Sequence, residues 1–341
     1  MEALFERVFV ETTVDTDQDG QYDLIAVYIK RPKLDEKVPA VFVANPYMLH
    51  CNEDWYDLYD VNTNIQAYPS QNIQREDVTF YPKDPVVCPK KEAEQIVENS
   101  PYPEPDPSAY ECISDLYGHL LERGYAGVFS GGLGTRGSDG LTMTGSEEEI
   151  LAFKSVIDWL NGRARAFRDK TRTVQVLASW CTGSVAMSAR SYLGTMCIGV
   201  ATTGVEGLKT ILPEAGISNW YEYYRHNGLT LPPKDWQGDD LDILAKYCFS
   251  RALDSNDFAS IKPLFEKNQK TLQEGEDRQS GNYNRFWDER NYLQHANRIQ
   301  ASVFVLQGLN DWNVKPDQGI KCDAETPDRR DAFGWYNRIW I

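Results

Sequence analysis

The sequence predicts an α/β protein with a doubly wound, mostly parallel sheet and a helical insertion. Two apolar runs bounded by polar or turn residues, at 38–44 and 301–307, are typical of strands buried on both faces of such a sheet. A helix with a clear apolar face is predicted between them, at 146–160, and alternating strands and helices favour a parallel sheet. Residues 204–298 are rich in Trp, Tyr, Asp and Leu and contain no obvious strand, so they are interpreted as the helical insertion.

The composition excludes several classes of protein. The 341 residues include 35 Lys plus Arg and 51 Asp plus Glu, a formal net charge of −16. Such an acidic chain is unsuited to nucleic acid and to anionic membrane surfaces, and no apolar run is long enough to span a bilayer. Seven scattered cysteines without a C-x-x-C motif predict a reduced, cytoplasmic protein. With four histidines and no clustered thiols, we expect no metal centre and no cofactor.

The N-terminal third is predicted to consist of strands followed by a long excursion. Residues 7–12 and 24–29 flank the turn signal Asp19-Gly20, which indicates a hairpin. The strand at 38–44 follows. Residues 51–107 are polar, with many Tyr, Asn and Pro, and are interpreted as a surface excursion with little regular structure.

Strands and helices alternate after residue 110. The helix after Ser146 shows the clearest pattern, because Ser146 and Glu149 form a capping-box motif and an apolar face follows. The predicted elements are a helix at 114–123, a strand at 126–130, the helix from 146 to 160, a short strand at 185–187 and a helix of small residues at 192–200.

Two motifs resemble ligand sites but favour simpler interpretations. Residues 15–20 imitate the start of a calcium loop; an EF-hand, however, needs a glutamate at its twelfth position, where Ala26 stands, and the flanks look like strands. A solvated hairpin turn is therefore preferred. Residues 132–137 match G-x-G-x-x-G, but Gly140 makes another turn and the helix begins only near Ser146, so dinucleotide binding is not favoured.

The strongest local signal for catalysis lies at Ser191. A strand leads into residues 189–194 and a helix leads out, which is the arrangement of a nucleophile elbow in α/β hydrolases. Ala189 fits the first small position of that motif, whereas Leu193 occupies the second and Gly194 comes one residue later. On the pattern alone, an ordinary strand–helix turn capped by a serine is an equal alternative.

Asp311 is the candidate acid, because it follows the last buried strand at the edge of the sheet where sites form. In α/β hydrolases the acid follows the serine along the chain, and a histidine follows the acid. An Asx turn that closes the strand is the alternative interpretation of Asp311.

The chain closely resembles the catalytic domain of the Xaa-Pro dipeptidyl-peptidase family. These are α/β-hydrolase serine peptidases that remove X-Pro dipeptides from peptide N-termini. The resemblance covers about residues 5–317 and is densest at 15–20, 134–140, 156–165, 189–195, 201–208, 217–221 and 308–316. The family has Gly-Lys where this chain has Ala189 and Arg190, so the tight turn is expected to be slightly strained.

The resemblance implies a role for each matching residue. Ser191 is the nucleophile and Asp311 the triad acid; the Tyr47 hydroxyl and the backbone N–H of Tyr192 form the oxyanion hole. Trp220 and Tyr223 match aromatic residues of the proline pocket, and Asp239 stands where the family has a glutamate that holds the substrate α-amino group. Without the family, Trp220 and Tyr223 would be core aromatic residues and Asp239 a helix N-cap.

The triad histidine has no counterpart after Asp311, since the last histidine is His295. Residues 319–341 also lack an apolar run suited to a buried strand. We therefore expect a C-terminally truncated family member, through natural truncation or a change of reading frame near residue 318, with little activity. A related acyl esterase and a non-catalytic binder of X-Pro peptides are the alternatives.

The assignments divide the chain into four parts and imply its partners. The predicted parts are the first section of the hydrolase core at 1–203, a helical cap insertion at 204–298, the last core strand and acid loop at 299–317, and a divergent tail at 318–341. The expected ligands are peptides with proline at the second position. The resemblance also implies a homodimer.

Overall fold

The structure is a computed structural model that describes residues 2–52, 58–62, 69, 71–103, 115–225 and 238–326. Its strands are β1 (Ala3–Glu11), β2 (Leu24–Pro32), β3 (Val38–Asn45), β4 (Gln95–Val97), β5 (Ala126–Gly131), β6 (Ala166–Phe167), β7 (Val174–Val176), β8 (Cys181–Arg190), β9 (Leu208–Glu214) and β10 (Ser302–Val303). Its α-helices are α1 (Arg75–Val78), α2 (Asp115–Leu121), α3 (Glu147–Leu160), α4 (Tyr192–Ala201), α5 (Trp220–Tyr224), α6 (Leu241–Cys248), α7 (Ser255–Glu276), α8 (Arg285–Glu289) and α9 (Pro316–Glu325). Two 3₁₀ helices lie at Ser250–Leu253 and Tyr292–Arg298.

The strands form one mixed sheet with a parallel centre. The order across the described part of the chain is β10-β9-β8-β3-β5-β2-β1-β6-β7-β4. From β10 to β5 every neighbouring pair is parallel, whereas β2 is antiparallel to both β5 and β1. The carboxyl ends of β3, β5, β8, β9 and β10 therefore meet at one edge of the sheet.

Both faces of the central strands are buried, as a doubly wound sheet requires. Along β3, Phe42 and Ala44 contact one apolar cluster, whereas Val41 and Val43 contact the cluster on the opposite face. Helices α3 and α4 pack on the first face and on each other. Phe153 of α3 has no exposed surface, and a phenylalanine in such a place typically contributes about 3–5 kcal/mol of stability relative to alanine.

The start of α3 confirms the predicted cap and adds a detail. The Ser146 side chain accepts the N–H of Glu149, as an N-cap serine should. The Glu149 carboxylate accepts the N–H of Gly145, one residue before the cap, instead of reaching back to Ser146. Glu149 is only 2% exposed, so this acidic side chain points into the protein.

The region predicted to contain no strand, 204–298, does contain one. Strand β9 pairs in parallel with β8 and lies between β8 and β10 in the sheet. Its sequence does not show the strand pattern clearly, because Pro213 lies within the strand and cannot donate to the ladder, and only Leu208, Ile211 and Pro213 are buried. Helices account for most of the described residues from 220 onwards.

Two predicted strands have different lengths in the structure. The strand before Ser191 extends over all of β8, instead of 185–187, because its ends pair with β3 and β9 respectively. Strand β10 is shorter than the predicted 301–307, although parallel backbone bonds continue from Phe304 to Ile211 and from Leu306 to Pro213. The excursion at 51–107 is largely irregular where it is described, with α1 and β4 as its regular elements. No helix in the described residues is long and apolar enough to cross a membrane.

Candidate active site

Ser191 lies on a strained turn between β8 and α4. Its backbone has φ 60° and ψ −129°, a conformation that residues other than glycine rarely adopt. Its N–H donates to the carbonyl of Glu214 at the end of β9, which fixes the turn. The side chain makes no capping hydrogen bond to α4, so the alternative of an ordinary N-cap serine lacks its defining contact.

Gly194 supplies the small residue that such a turn requires. A Cβ there would lie 2.8 Å from the Ala189 carbonyl oxygen and 2.9 Å from that of Glu214. Two backbone segments therefore approach the first turn of α4 too closely for a side chain. The small residue comes one position later than in the common motif, and Leu193 is instead buried against the opposite apolar cluster.

Tyr192 carries the backbone N–H that follows the nucleophile, and its side chain is anchored underneath. Its hydroxyl lies 2.8 and 2.9 Å from the two oxygens of the buried Glu149 carboxyl. Burial raises the pKa of Glu149 to about 7, although the Gly145 N–H and the Tyr192 hydroxyl oppose the rise. Sequence reasoning recognised Glu149 only as a helix-cap residue. The structure places its carboxyl against the hydroxyl of Tyr192, the residue that follows the nucleophile.

The pH dependence of stability provides a test of this buried carboxyl. Its folded pKa of about 7 exceeds the unfolded value of about 4.3, so the folded state holds an extra proton between these values. The stability linked to Glu149 is fully present below the unfolded pKa and is lost as pH rises through 7. We expect the Glu149→Gln variant to lose this slope, about 1 kcal/mol per pH unit between pH 5 and 7, in urea unfolding.

The matched control is Glu122→Gln, because Glu122 is an exposed carboxylate at the end of α2. Its free energy of unfolding should follow the parent chain at every pH. If the free energy of unfolding changed with pH in the same way for the parent chain and for Glu149→Gln, the raised pKa of Glu149 would be contradicted.

Tyr47 lies beside the elbow, just after β3. Its ring meets that of Tyr192 edge-on, with centroids 5.6 Å apart, and its N–H donates to Asn45. Burial, followed by nearby groups that include Cys248 and Tyr223, raises the pKa of Tyr47 well above its usual value. The hydroxyl therefore remains protonated at neutral pH and can act as a hydrogen-bond donor.

Trp220 lies behind Tyr192 and is fully buried. Its ring is 5.1 Å from that of Tyr192, edge-on, and its indole N–H donates to Tyr292, whose hydroxyl donates to the Gly145 carbonyl. With 0% exposure, Trp220 offers no surface to a ligand in this conformation. Trp220, Tyr223 and Tyr224 pack together and form the aromatic wall of the site. Trp220 itself is surrounded as a core aromatic residue would be, which was its alternative interpretation.

Tyr223 continues this aromatic wall and reaches the loop after β10. Its ring lies 6.0 Å from that of Trp220 and 4.7 Å from that of Tyr224. Its hydroxyl donates to Asn313 over 2.6 Å, and it keeps 7% of its surface exposed. Sequence reasoning did not select Tyr224 or Asn313. Asn313 lies within the family motif at 308–316, and Tyr224 lies three residues after the motif at 217–221.

Asp239 lies at the far end of the same wall. Its Oδ2 accepts the Tyr224 hydroxyl, whereas its Oδ1 is buried without a hydrogen-bond partner among the described residues. Burial raises the pKa of Asp239 to about 7, Tyr224 lowers it, and the neighbours Asp240 and Asp242 raise it further. The N-cap role that was the alternative for Asp239 belongs to Asp240, whose side chain accepts the N–H of Leu241.

Asp311 lies at the same edge of the sheet as Ser191. Ser191 directly follows β8, Asp311 follows the β10 segment, and β9 runs parallel between them. The Asp311 Oδ1 accepts the N–H groups of Asn313 and Val314, so the carboxylate does form the Asx-type turn that was its alternative interpretation. This turn holds the loop in which Asn313 contacts Tyr223.

The glycine-rich segment at 132–137 is a turn whose residues 132–135 are buried, whereas Arg136 and Gly137 are exposed. The Gly134 N–H donates to the Asp139 carbonyl, and the Thr135 hydroxyl donates to Gly132. The following helix, α3, begins at Glu147, so no helix N-terminus adjoins the third glycine.

Strand order and elbow together define the class of this protein, an α/β hydrolase. A crystal structure of a CocE/NonD family hydrolase from Staphylococcus aureus shares the fold, with a TM-score of 0.51 and 17% sequence identity, over 96% of this chain and 48% of that chain. The sequence model described as X-Pro dipeptidyl-peptidase (S15 family) matches residues 19–335. The chain belongs to that family. The match extends to residue 335, past Asp317, where the resemblance seen in the motifs ends.

Named relatives agree with this assignment. The Xaa-Pro dipeptidyl-peptidase of Lactobacillus helveticus is 44% identical over 321 residues, which is 93% of this chain and 39% of that protein. The Xaa-Pro dipeptidyl-peptidase of Lacticaseibacillus casei is 43% identical over 326 residues, 94% of this chain and 40% of that protein. The chain thus spans about two fifths of the length of the curated relatives it matches.

Proposed function

We propose that this chain carries the nucleophile and the recognition wall of a serine exopeptidase that removes Xaa-Pro dipeptides from peptide N-termini. One observation carries the proposal: the residue that follows the strained Ser191 packs edge-on against both Tyr47 and Trp220. The nucleophile, the second oxyanion donor and the aromatic wall therefore adjoin one another.

The proposed chemistry assigns two donors to the reacting carbonyl. The Ser191 Oγ would attack the carbonyl carbon of the substrate proline. The oxygen that gains charge would accept hydrogen bonds from the Tyr47 hydroxyl and from the Tyr192 N–H at the start of α4. Asp311 would orient the general base that takes the Ser191 proton.

The recognition half of the proposal rests on Tyr223 and Asp239. A flat pyrrolidine ring packs well on an aromatic face, and Tyr223 is the wall residue with exposed surface. The unpartnered Oδ1 of Asp239 matches a protonated α-amino group, which is a strong donor. Tyr224 bridges the two, because its ring contacts Tyr223 and its hydroxyl binds Asp239.

The second candidate function is a binding protein for X-Pro peptides that does not cleave them. The contacts among Tyr223, Tyr224 and Asp239 favour it, since recognition by these residues requires no general base. Both candidates predict proline-dependent binding; they differ in turnover.

Calorimetric titration tests the recognition that the two candidates share. We expect Ala-Pro-Ala to bind at least about tenfold more tightly than Ala-Ala-Ala, because proline buries its ring and loses less entropy on ordering. The Tyr223→Ala variant should lose most of this preference. Tyr125→Ala, which removes an exposed tyrosine at the β5 entrance, is the control. Equal affinity of the parent chain for both peptides would contradict the proposed function.

A further inference from the structure

The connection between β1 and β2 gathers carboxylates at one point. Asp15, Asp17 and Asp19 each place an oxygen within 4.8 Å of the others. The hairpin itself is as the sequence predicts, since β1 and β2 pair from Ala3 with Pro32 to Glu11 with Leu24. Within the turn predicted to be solvated, Asp19 and Gly20 are exposed and Asp15 and Asp17 are half-buried, whereas Asp23, just before β2, is buried.

Two carboxylate oxygens in this connection are buried without a partner. The Asp17 side chain is 10% exposed and Asp23 is 1% exposed. The Oδ1 atom of each is buried and makes no hydrogen bond within the described part of the chain. Unpaired buried carboxylate oxygens are costly, and a bound cation is a common way to satisfy them.

The positive charge nearby does not balance the group. Arg251 donates to the other oxygen of Asp17, but it also pairs with both oxygens of Asp257.

We propose that the β1–β2 connection binds one calcium ion through Asp15, Asp17 and Asp19, which together with Asp23 follow a calcium-loop spacing. These residues occupy positions one, three, five and nine of a calcium-loop spacing, with Gly20 at position six where the chain must turn. Gly20 has φ +84°, the left-handed conformation that this turn needs. The ligands are all hard carboxylate oxygens, which suit calcium.

The site is not an EF-hand, because strands flank it and Ala26 replaces the bidentate glutamate. Its further contacts lie in the body of the protein instead. The Gly140 N–H donates to Asp17, and Thr16 donates both its N–H and its hydroxyl to Asp23. A bound ion would thus tie the hairpin to the segment that follows β5.

The test is calcium titration of the full chain after treatment with chelator, followed by calorimetry and thermal melting. We expect one calcium ion per chain with a Kd below about 1 mM. With a Kd of about 0.1 mM, 10 mM calcium should raise the folding equilibrium constant about 100-fold and the Tm with it. The Asp15→Asn/Asp19→Asn double variant should lose both effects, and the single variant Asp19→Asn, at an exposed residue, should weaken binding at least about tenfold.

The matched control removes two exposed carboxylates elsewhere, Asp35→Asn/Glu36→Gln, and should bind calcium like the parent chain. Circular dichroism without calcium should show that each variant is folded. Absence of binding heat and of a Tm shift in the parent chain at 10 mM calcium would overturn the proposal. Undiminished affinity in Asp19→Asn, or tighter binding of magnesium than of calcium, would overturn it equally.

Discussion

The 341-residue chain is expected to release p-nitroaniline from Gly-Pro-p-nitroanilide no faster than its Ser191→Ala variant. Ser191 is held on a strained elbow, but a serine hydroxyl is a poor nucleophile until a base removes its proton. Loss of a triad member typically lowers kcat by about 10⁴ to 10⁶. No histidine follows Asp311 to supply that base, so the rate should lie at the background.

The measurement is steady-state absorbance at high enzyme concentration, with Ser191→Ala as the reference that retains the fold. Turnover clearly above that reference would refute the expectation and would require another base. His50 is the first candidate, because it lies three residues after Tyr47 and is exposed. A His50→Ala variant that abolished the excess rate would identify it.

Acetylation of the peptide N-terminus should weaken binding of Ala-Pro-Ala by about 100-fold. The free α-amino group would pair with the buried Asp239 carboxylate, and breaking such a pair typically costs 2–5 kcal/mol. The Asp239→Asn variant should bind the free peptide as weakly as the parent chain binds the acetylated one. Calorimetry with both peptides and both proteins gives a double-mutant cycle, which isolates the interaction energy between the amine and Asp239.

The pH dependence of binding gives this prediction a second readout. The pKa of Asp239 is about 7, so the carboxylate forms as pH rises through 7, and affinity for the free peptide should increase from pH 6 to a maximum between pH 7 and 8. The peptide amine, with an ordinary pKa of about 8, loses its proton above that maximum, so affinity should then fall. Asp35→Asn serves as the control for charge alone. Equal affinity for free and acetylated peptide would refute the amine-binding role of Asp239.

The sequence was sufficient to predict a strand that is buried on both faces and a helix with a clear cap and apolar face. Strand β3 and helix α3 were predicted almost residue for residue, because Val38 to Ala44 are uniformly apolar and Ser146 caps an amphipathic helix. Strand β9 was missed, since Pro213 and the polar residues Lys209, Thr210 and Glu214 interrupt its apolar pattern. Its pairing depends on β8 and β10, which are distant in the sequence, and such tertiary context overrides local propensity.

The local pattern at 189–194 and the resemblance both indicated the elbow, but the surroundings of the site could be known only from the structure. Which residues lie behind Tyr192 depends on how α3 and α5 pack, and no local pattern distinguishes the buried Glu149 from an ordinary cap residue. The burial of Asp17 has the same origin, because Arg251 and Gly140 reach it from other parts of the chain. Spacing predicts which groups can meet; only packing decides which of them lose water.

Gly145 has a consequence for how this protein can change by mutation. A Cβ at that position would lie 2.4 Å from the Trp220 indole nitrogen, and the backbone φ is +74°. Any substitution there must displace the tryptophan, together with the Tyr292 hydroxyl that contacts both. In a library of random variants selected for peptide preference, position 145 should therefore behave like a residue of the binding wall, although it reaches no ligand. Its tolerance would depend on which residue occupies 220, so the two sites should vary together in descendants of this sequence.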